Sequence, residues 1–151
     1  MMPNASEAKI MLFVAYSRME SALKQAGFVR PGPRRIAQAD WRRFAEEPCL
    51  SDVLAAAAGD PDVKAMIADP PRTQIVTGDG KSLEWRQLFP VPLASLEDLL
   101  GAVKQVRDNL FHGEKHGDDP RDESLCCAAL VVIKHCLERH HEVGNLFGYR
   151  Y

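Results

Sequence analysis

Between Glu123 and Glu142 the chain carries an apolar stripe too wide for a helix with a single neighbour. Leu125, Ala129, Val132 and Cys136 run down one side, and Cys126, Leu130, Ile133 and Leu137 down the adjacent one, both at helical spacing. Such a surface must be covered from several directions, so it predicts a central helix with the remaining helices around it. Asp122 is the expected N-cap and Gly144 the stop. At 151 residues the chain is long enough to bury a real core as one domain spanning 1–151, with 1–5 and 144–151 loosely ordered.

A second helix is expected from Leu96 to His112. Leu96, Leu99, Leu100, Val103, Val106 and Leu110 mark its buried face. Ser95 is the predicted N-cap, Glu97 and Asp98 sit in the first turn where the helix dipole favours negative charge, and Gly113 supplies the stop. The end of this helix collects Arg107, Asp108, Asn109 and His112. Asp108 and His112 are four residues apart and share a face, whereas Arg107 and His112 are five apart and point roughly 140° from one another on an ideal helix. They converge only if the helix end unwinds or if two copies bring their helices together about a twofold axis. The bland reading is a dipole-stabilising His beside an Arg paired with a neighbouring carboxylate.

The rest of the chain reads as accessory structure. A helix is expected from Glu7 to Ala26, with Ile10, Phe13, Val14, Ser17 and Leu23 on its apolar face and Gly27 as its stop. Glu20 and Lys24 are spaced as an i,i+4 pair. Val29 to Arg35 reads as a loop, and its Arg30, Arg34 and Arg35 form the one dense positive patch, either solvated or a contact for a phosphate backbone. Short helices follow: Trp41–Glu47 capped by Asp40, one starting at Ser51 or Asp52 and running to Ala58, and one opened by Asp60-Pro61 and ending at Ala68. Gln74 to Thr77 is the one short extended segment, and a short helix with Trp85 turned inward is expected from Leu83 to Leu88. Gly78 to Ser82 ends like a phosphate-binding P-loop, but the first Gly of that motif would fall at Ile75, so the stretch reads as a turn. The sum is an all-α helical bundle with short accessory helices.

The stretch Arg107-Asp108-Asn109-Leu110-Phe111-His112-Gly113, followed by Lys115, resembles the motif of HEPN domains: an Arg, a polar residue directly after it, and a His a few residues on. The resemblance implies a helical bundle of the HEPN type, acting as a homodimer with the motif at or near the interface. It also implies a metal-independent endoribonuclease, a toxin or an antiviral defence effector, with a cognate antitoxin as a further partner. HEPN toxins paired with small nucleotidyltransferases carry a Tyr two residues after the His; Glu114 stands there in this chain, which argues against a partner of that kind. The runner-up is a non-catalytic HEPN-like module that binds RNA, a nucleotide or a protein.

RNA carries its own nucleophile, the 2′-hydroxyl, so its cleavage needs no cofactor. In this reading His112 moves the proton, Arg107 steadies charge on the phosphorus oxygens, Asp108 or Asn109 orients the imidazole, and Lys115, with Arg30, Arg34 and Arg35, holds phosphate. The net charge of −2 gives no global basic field, so an RNA site must be local. Metal ligation is not expected: His112 and His116 are four apart, as are Cys136 and His140, but Gly113 and Gly117 interrupt the first pair's helix and His-Glu-x-x-His is absent. Cys49, Cys126, Cys127 and Cys136 are expected as free thiols. No apolar run nears the ~20 residues that span a bilayer, and no signal-peptide pattern opens the chain, which makes the cytoplasm the expected compartment.

Overall fold

A computed structural model describes residues 5–111 and 120–149. In chain order these form α1 (Ala5–Gln25), β1 (Val29–Pro31), β2 (Ala37–Ala39), α2 (Trp41–Ala45), α3 (Val53–Ala57), α4 (Pro61–Ala68), β3 (Thr73–Val76), β4 (Leu83–Arg86), α5 (Leu96–Phe111), α6 (Pro120–Arg139) and α7 (His141–Phe147). Single 3₁₀ turns at Pro33–Arg35 and Pro48–Leu50 link some of them. Among the described residues no helix is long and apolar enough to cross a membrane.

The central helix is α6. Its Leu125, Cys126, Ala128, Ala129, Val132, Ile133, Cys136 and Leu137 are all buried, and α1, α3, α4, α5 and α7 pack around it. Asp60 caps α4 by accepting from the amides of Asp62 and Val63, and Asp40 caps α2 by accepting from that of Arg43. Burial pushes the thiols of Cys126 and Cys136 up to about 12, so both stay protonated and pack as small apolar groups.

The fold is mixed rather than all-α: helices dominate among the described residues, but two small antiparallel sheets join them. In one, Val29 pairs with Ala39 and Pro31 with Ala37; of the residues that suggested a loop, Pro31 ends β1 beside the turn, and Gly32 and Pro33 lie in the turn itself. That turn is fixed, with Arg34 and Arg35 both at positive φ (56° and 61°). In the other, Thr73 pairs with Arg86 and Val76 with Leu83. The helix expected at Leu83–Leu88 is therefore strand β4. Leu83-Glu84-Trp85-Arg86 alternates with period two, and a six-residue turn closed by Thr77, Asp79 and Ser82 brings it back on β3. Trp85 is 42% exposed rather than turned inward.

Of the apolar face read from the sequence of α1, Leu23 is buried as expected, but Ile10, Phe13, Val14 and Ser17 are exposed. Ala8, Leu12, Tyr16, Met19, Ala22 and Leu23 are buried, while Ile10 is 65% and Phe13 51% exposed, with Met11 and Val14 beside them. Both sets have helical spacing because the first half of α1 is apolar all round, and periodicity cannot rank two equal stripes.

The last long helix also stops earlier than expected. It ends at Arg139, and His140 leaves the helical conformation (φ −107°, ψ 94°) to start α7, so residues 144–149 are built into the fold rather than loosely ordered. His140 Nδ1 accepts the Val143 amide at 3.3 Å, which places the proton on Nε2, where it donates to Glu47 at 3.0 Å. Histidine is not a usual N-cap, so the break carries no familiar mark. Arg18 then holds α7 to α1 by donating to the Phe147 carbonyl at 2.7 Å. His140→Ala removes both the cap and the Glu47 bond, and is expected to lower unfolding stability by about 1–3 kcal/mol, read as a lower urea midpoint. An unchanged midpoint would contradict this role.

Candidate functional site

Helix α5 starts as its sequence suggests. Ser95 Oγ accepts the Asp98 amide at 3.1 Å, and Asp98 returns a bond from the Ala94 amide at 3.3 Å. Leu99, Leu100, Ala102, Val103 and Val106 are buried and fix the helix's rotation. That rotation sends the motif residues in two directions.

Arg107 turns to α1. Its guanidinium carbon lies 4.5 Å from the centroid of the Tyr16 ring, its Nε is 3.3 Å from Asp108, and an η-nitrogen is 3.9 Å from Glu20. Glu20 thus faces Arg107, and no ion pair joins it to Lys24 among the described residues. The Arg107 side chain is only a quarter exposed, and its Nε is buried without a hydrogen bond of good geometry. The Tyr16 hydroxyl, on a residue 1% exposed, also lacks such a partner among the described residues. Burial is the largest influence on this phenol and raises its pKa well above the ordinary value; Arg107 pulls the other way but less. Tyr16 is a neutral platform for the cation. Two adjacent polar groups of this kind cost stability, on the order of 1–3 kcal/mol each, unless something completes them.

Asn109 turns instead to the second hairpin. Its amide donates to the Arg72 carbonyl at 2.9 Å and its oxygen accepts from Gln105 at 2.8 Å, while Thr73 donates to Gln105 at 2.9 Å. The amide is thereby committed to holding β3 against α5. Asp108, linked to Lys104 at 3.4 Å as well as to Arg107, is the carboxylate that stays on the Arg107 side.

His112, Gly113 and Lys115 lie outside the described residues, as do His116, Asp118 and Asp119. The structure brings Arg107 and Asp108 together with Glu20 and Tyr16. It sets Arg34 and Arg35 apart at the tip of the first hairpin, and puts Arg30 in the wall of a cleft that Glu20 also lines. Tyr16 was not singled out by the sequence; its helical phase with Leu12 and Met19 marks it as buried but not as a partner of Arg107. A second, smaller pocket of about 240 Å³, lined by Lys9, Ile10, Leu12, Phe13, Arg107 and Leu110, opens on the exposed face of α1.

No family model, curated protein or solved structure matched the chain. The HEPN resemblance therefore stands on the residues from Arg107 to Lys115 alone.

Because Asn109 anchors the hairpin, Asn109→Ala is expected to cost about 1–2 kcal/mol and to speed amide exchange in β3 and β4, leaving α6 protected. Unaltered exchange in the hairpin would show that the two bonds do not hold it.

Proposed function

We propose that this chain is a metal-independent endoribonuclease of the HEPN type, a cytoplasmic toxin or defence effector that works as a homodimer. One observation carries most of the weight. Arg107 is held over a buried ring, between two carboxylates, with its Nε lacking a hydrogen bond of good geometry among the described residues. A preorganised, partly desolvated guanidinium is suited to charge that grows on phosphorus oxygens during cleavage.

In this reading His112 takes the proton from a ribose 2′-hydroxyl, and that oxygen attacks the neighbouring phosphorus. The bond to the 5′-oxygen breaks, His112 returns the proton to it, and Arg107 balances the added negative charge throughout. The products are a 2′,3′-cyclic phosphate and a 5′-hydroxyl. Lys115 holds the adjacent phosphate. A second copy is suggested by the divergence of Arg107 and His112, roughly 140° on an ideal helix, and by the exposed Ile10, Met11, Phe13 and Val14 next to Arg107. Two copies docked on this apolar face would bring both motifs to one axis. A cognate antitoxin would have to cover the same seam.

The pairing of Arg107 with Glu20 and Asp108 favours the second reading, a non-catalytic module in which the arginine is structural. The two part in one experiment. Purified protein incubated with single-stranded RNA in excess chelator is expected to yield fragments with cyclic phosphate ends, and His112→Ala or Arg107→Ala to slow this by at least about 100-fold. Absent cleavage, cleavage abolished by the chelator, or full activity in His112→Ala would overturn the nuclease reading.

A further inference from the structure

A cleft of about 850 Å³ lies between α1, the first hairpin and the N-terminal half of α5. Its size falls within the ~300–1,000 Å³ of sites that hold small ligands. Trp41 and Phe89 supply aromatic wall, and Lys24 and Arg30 supply positive charge. Most of its other charged groups are committed: Glu20 to Arg107, Lys104 to Asp108, Arg42 to Glu46, and Asp40 and Asp98 to backbone amides. The lining is balanced overall, with Lys24, Arg30, Arg42 and Lys104 against Glu20, Asp40, Glu97 and Asp98. Lys24 and Arg30 are its two cations with no ion pair to a carboxylate among the described residues, so the positive charge open to a ligand is local to them.

We propose that this cleft binds a nucleoside monophosphate unit of single-stranded RNA, with the base against Trp41 and Phe89 and the phosphate on Lys24 and Arg30. The proposal rests on the ribonuclease reading for its substrate and adds where the strand lies. Base–aromatic stacking beside a basic wall is how single strands are held without sequence preference. The cleft is also joined to the motif by contact. Trp41 stacks on Tyr16 with ring centroids 5.3 Å apart, Tyr16 carries Arg107, and Glu20 belongs both to the cleft wall and to the Arg107 ion pair. A strand leaving the cleft over Glu20 heads toward Arg107. Gly101 lets the Phe89 ring pack closely against α5, because a Cβ there would stand 3.1 Å from it.

The test follows tryptophan fluorescence of the full chain during titration with a fully 2′-O-methylated oligoribonucleotide, which cannot be cut, and with adenosine 5′-monophosphate. Saturable quenching by the oligonucleotide is expected, lost in Trp41→Phe and kept in Trp85→Phe. Lys24→Glu and Arg30→Glu should each weaken it at least tenfold with unchanged helicity, and Arg107→Ala should leave monophosphate binding within threefold. Oligonucleotide binding indifferent to both charge reversals overturns the proposal, and saturation by the monophosphate alone reassigns the cleft to a free nucleotide. RNA cleaved at unchanged KM by Lys24→Glu and Arg30→Glu sinks the cleft and spares the nuclease. Oligonucleotide binding that depends on Lys24 and Arg30, without any cleavage of RNA, does the reverse.

Discussion

Helix α6 has to be hidden on several sides, and that requirement places every other long element. Its buried residues run from Asp122 to Leu137 with few gaps, and five helices share the work of covering them. Because α1 and α5 must each turn an apolar face to α6, their remaining faces are fixed too. For α5 this means Arg107 meets α1 while Asn109 meets the second hairpin. For α1 it means that Ile10, Met11 and Val14 are left outside.

The seam between α1 and α5 is where this packing leaves tension. Arg107 lies over Tyr16 with a buried Nε lacking a well-formed hydrogen bond, next to a phenol in the same condition. Arg107 is ion-paired with Asp108 at 3.3 Å and more loosely with Glu20 at 3.9 Å, yet neither carboxylate meets its Nε squarely. The same seam runs from the apolar pocket at Phe13 and Leu110 to the charged cleft at Lys24 and Trp41, with Arg107 and Glu20 between them. Packing has thus set a fixed cation between an apolar pocket and a charged cleft.

How far the sequence could be read depended on whether one period dominated. Leu125 to Leu137 has no rival pattern, and Asp40, Asp60 and Ser95 carry cap chemistry that stands by itself, so α2, α4, α5 and α6 were legible. Three kinds of signal were not. In α1 two apolar stripes compete, and only tertiary packing chooses between them. In Leu83 to Arg86 four residues are too few for the period-two pattern to outweigh a helical guess, and pairing with Thr73 to Val76 decides it. At His140 an imidazole does the work of a Ser or Asp, and its Glu47 partner lies 93 residues away. The candidate site divides in the same manner. Arg107 and Asp108 were visible as a local motif, whereas Tyr16, Trp41 and Phe89 enter only through contacts distant in the chain.

In the proposed dimer the exposed face of α1 brings two copies together around Arg107. Sedimentation velocity on the wild type and on Ile10→Glu/Val14→Glu, with RNA cleavage measured on the same samples, tests this most directly. A wild-type dimer is expected, together with a folded, monomeric double variant that cleaves at least about 100-fold more slowly. A wild type that stays monomeric across the concentration range, or a monomeric variant that cuts at the wild-type rate, would contradict it.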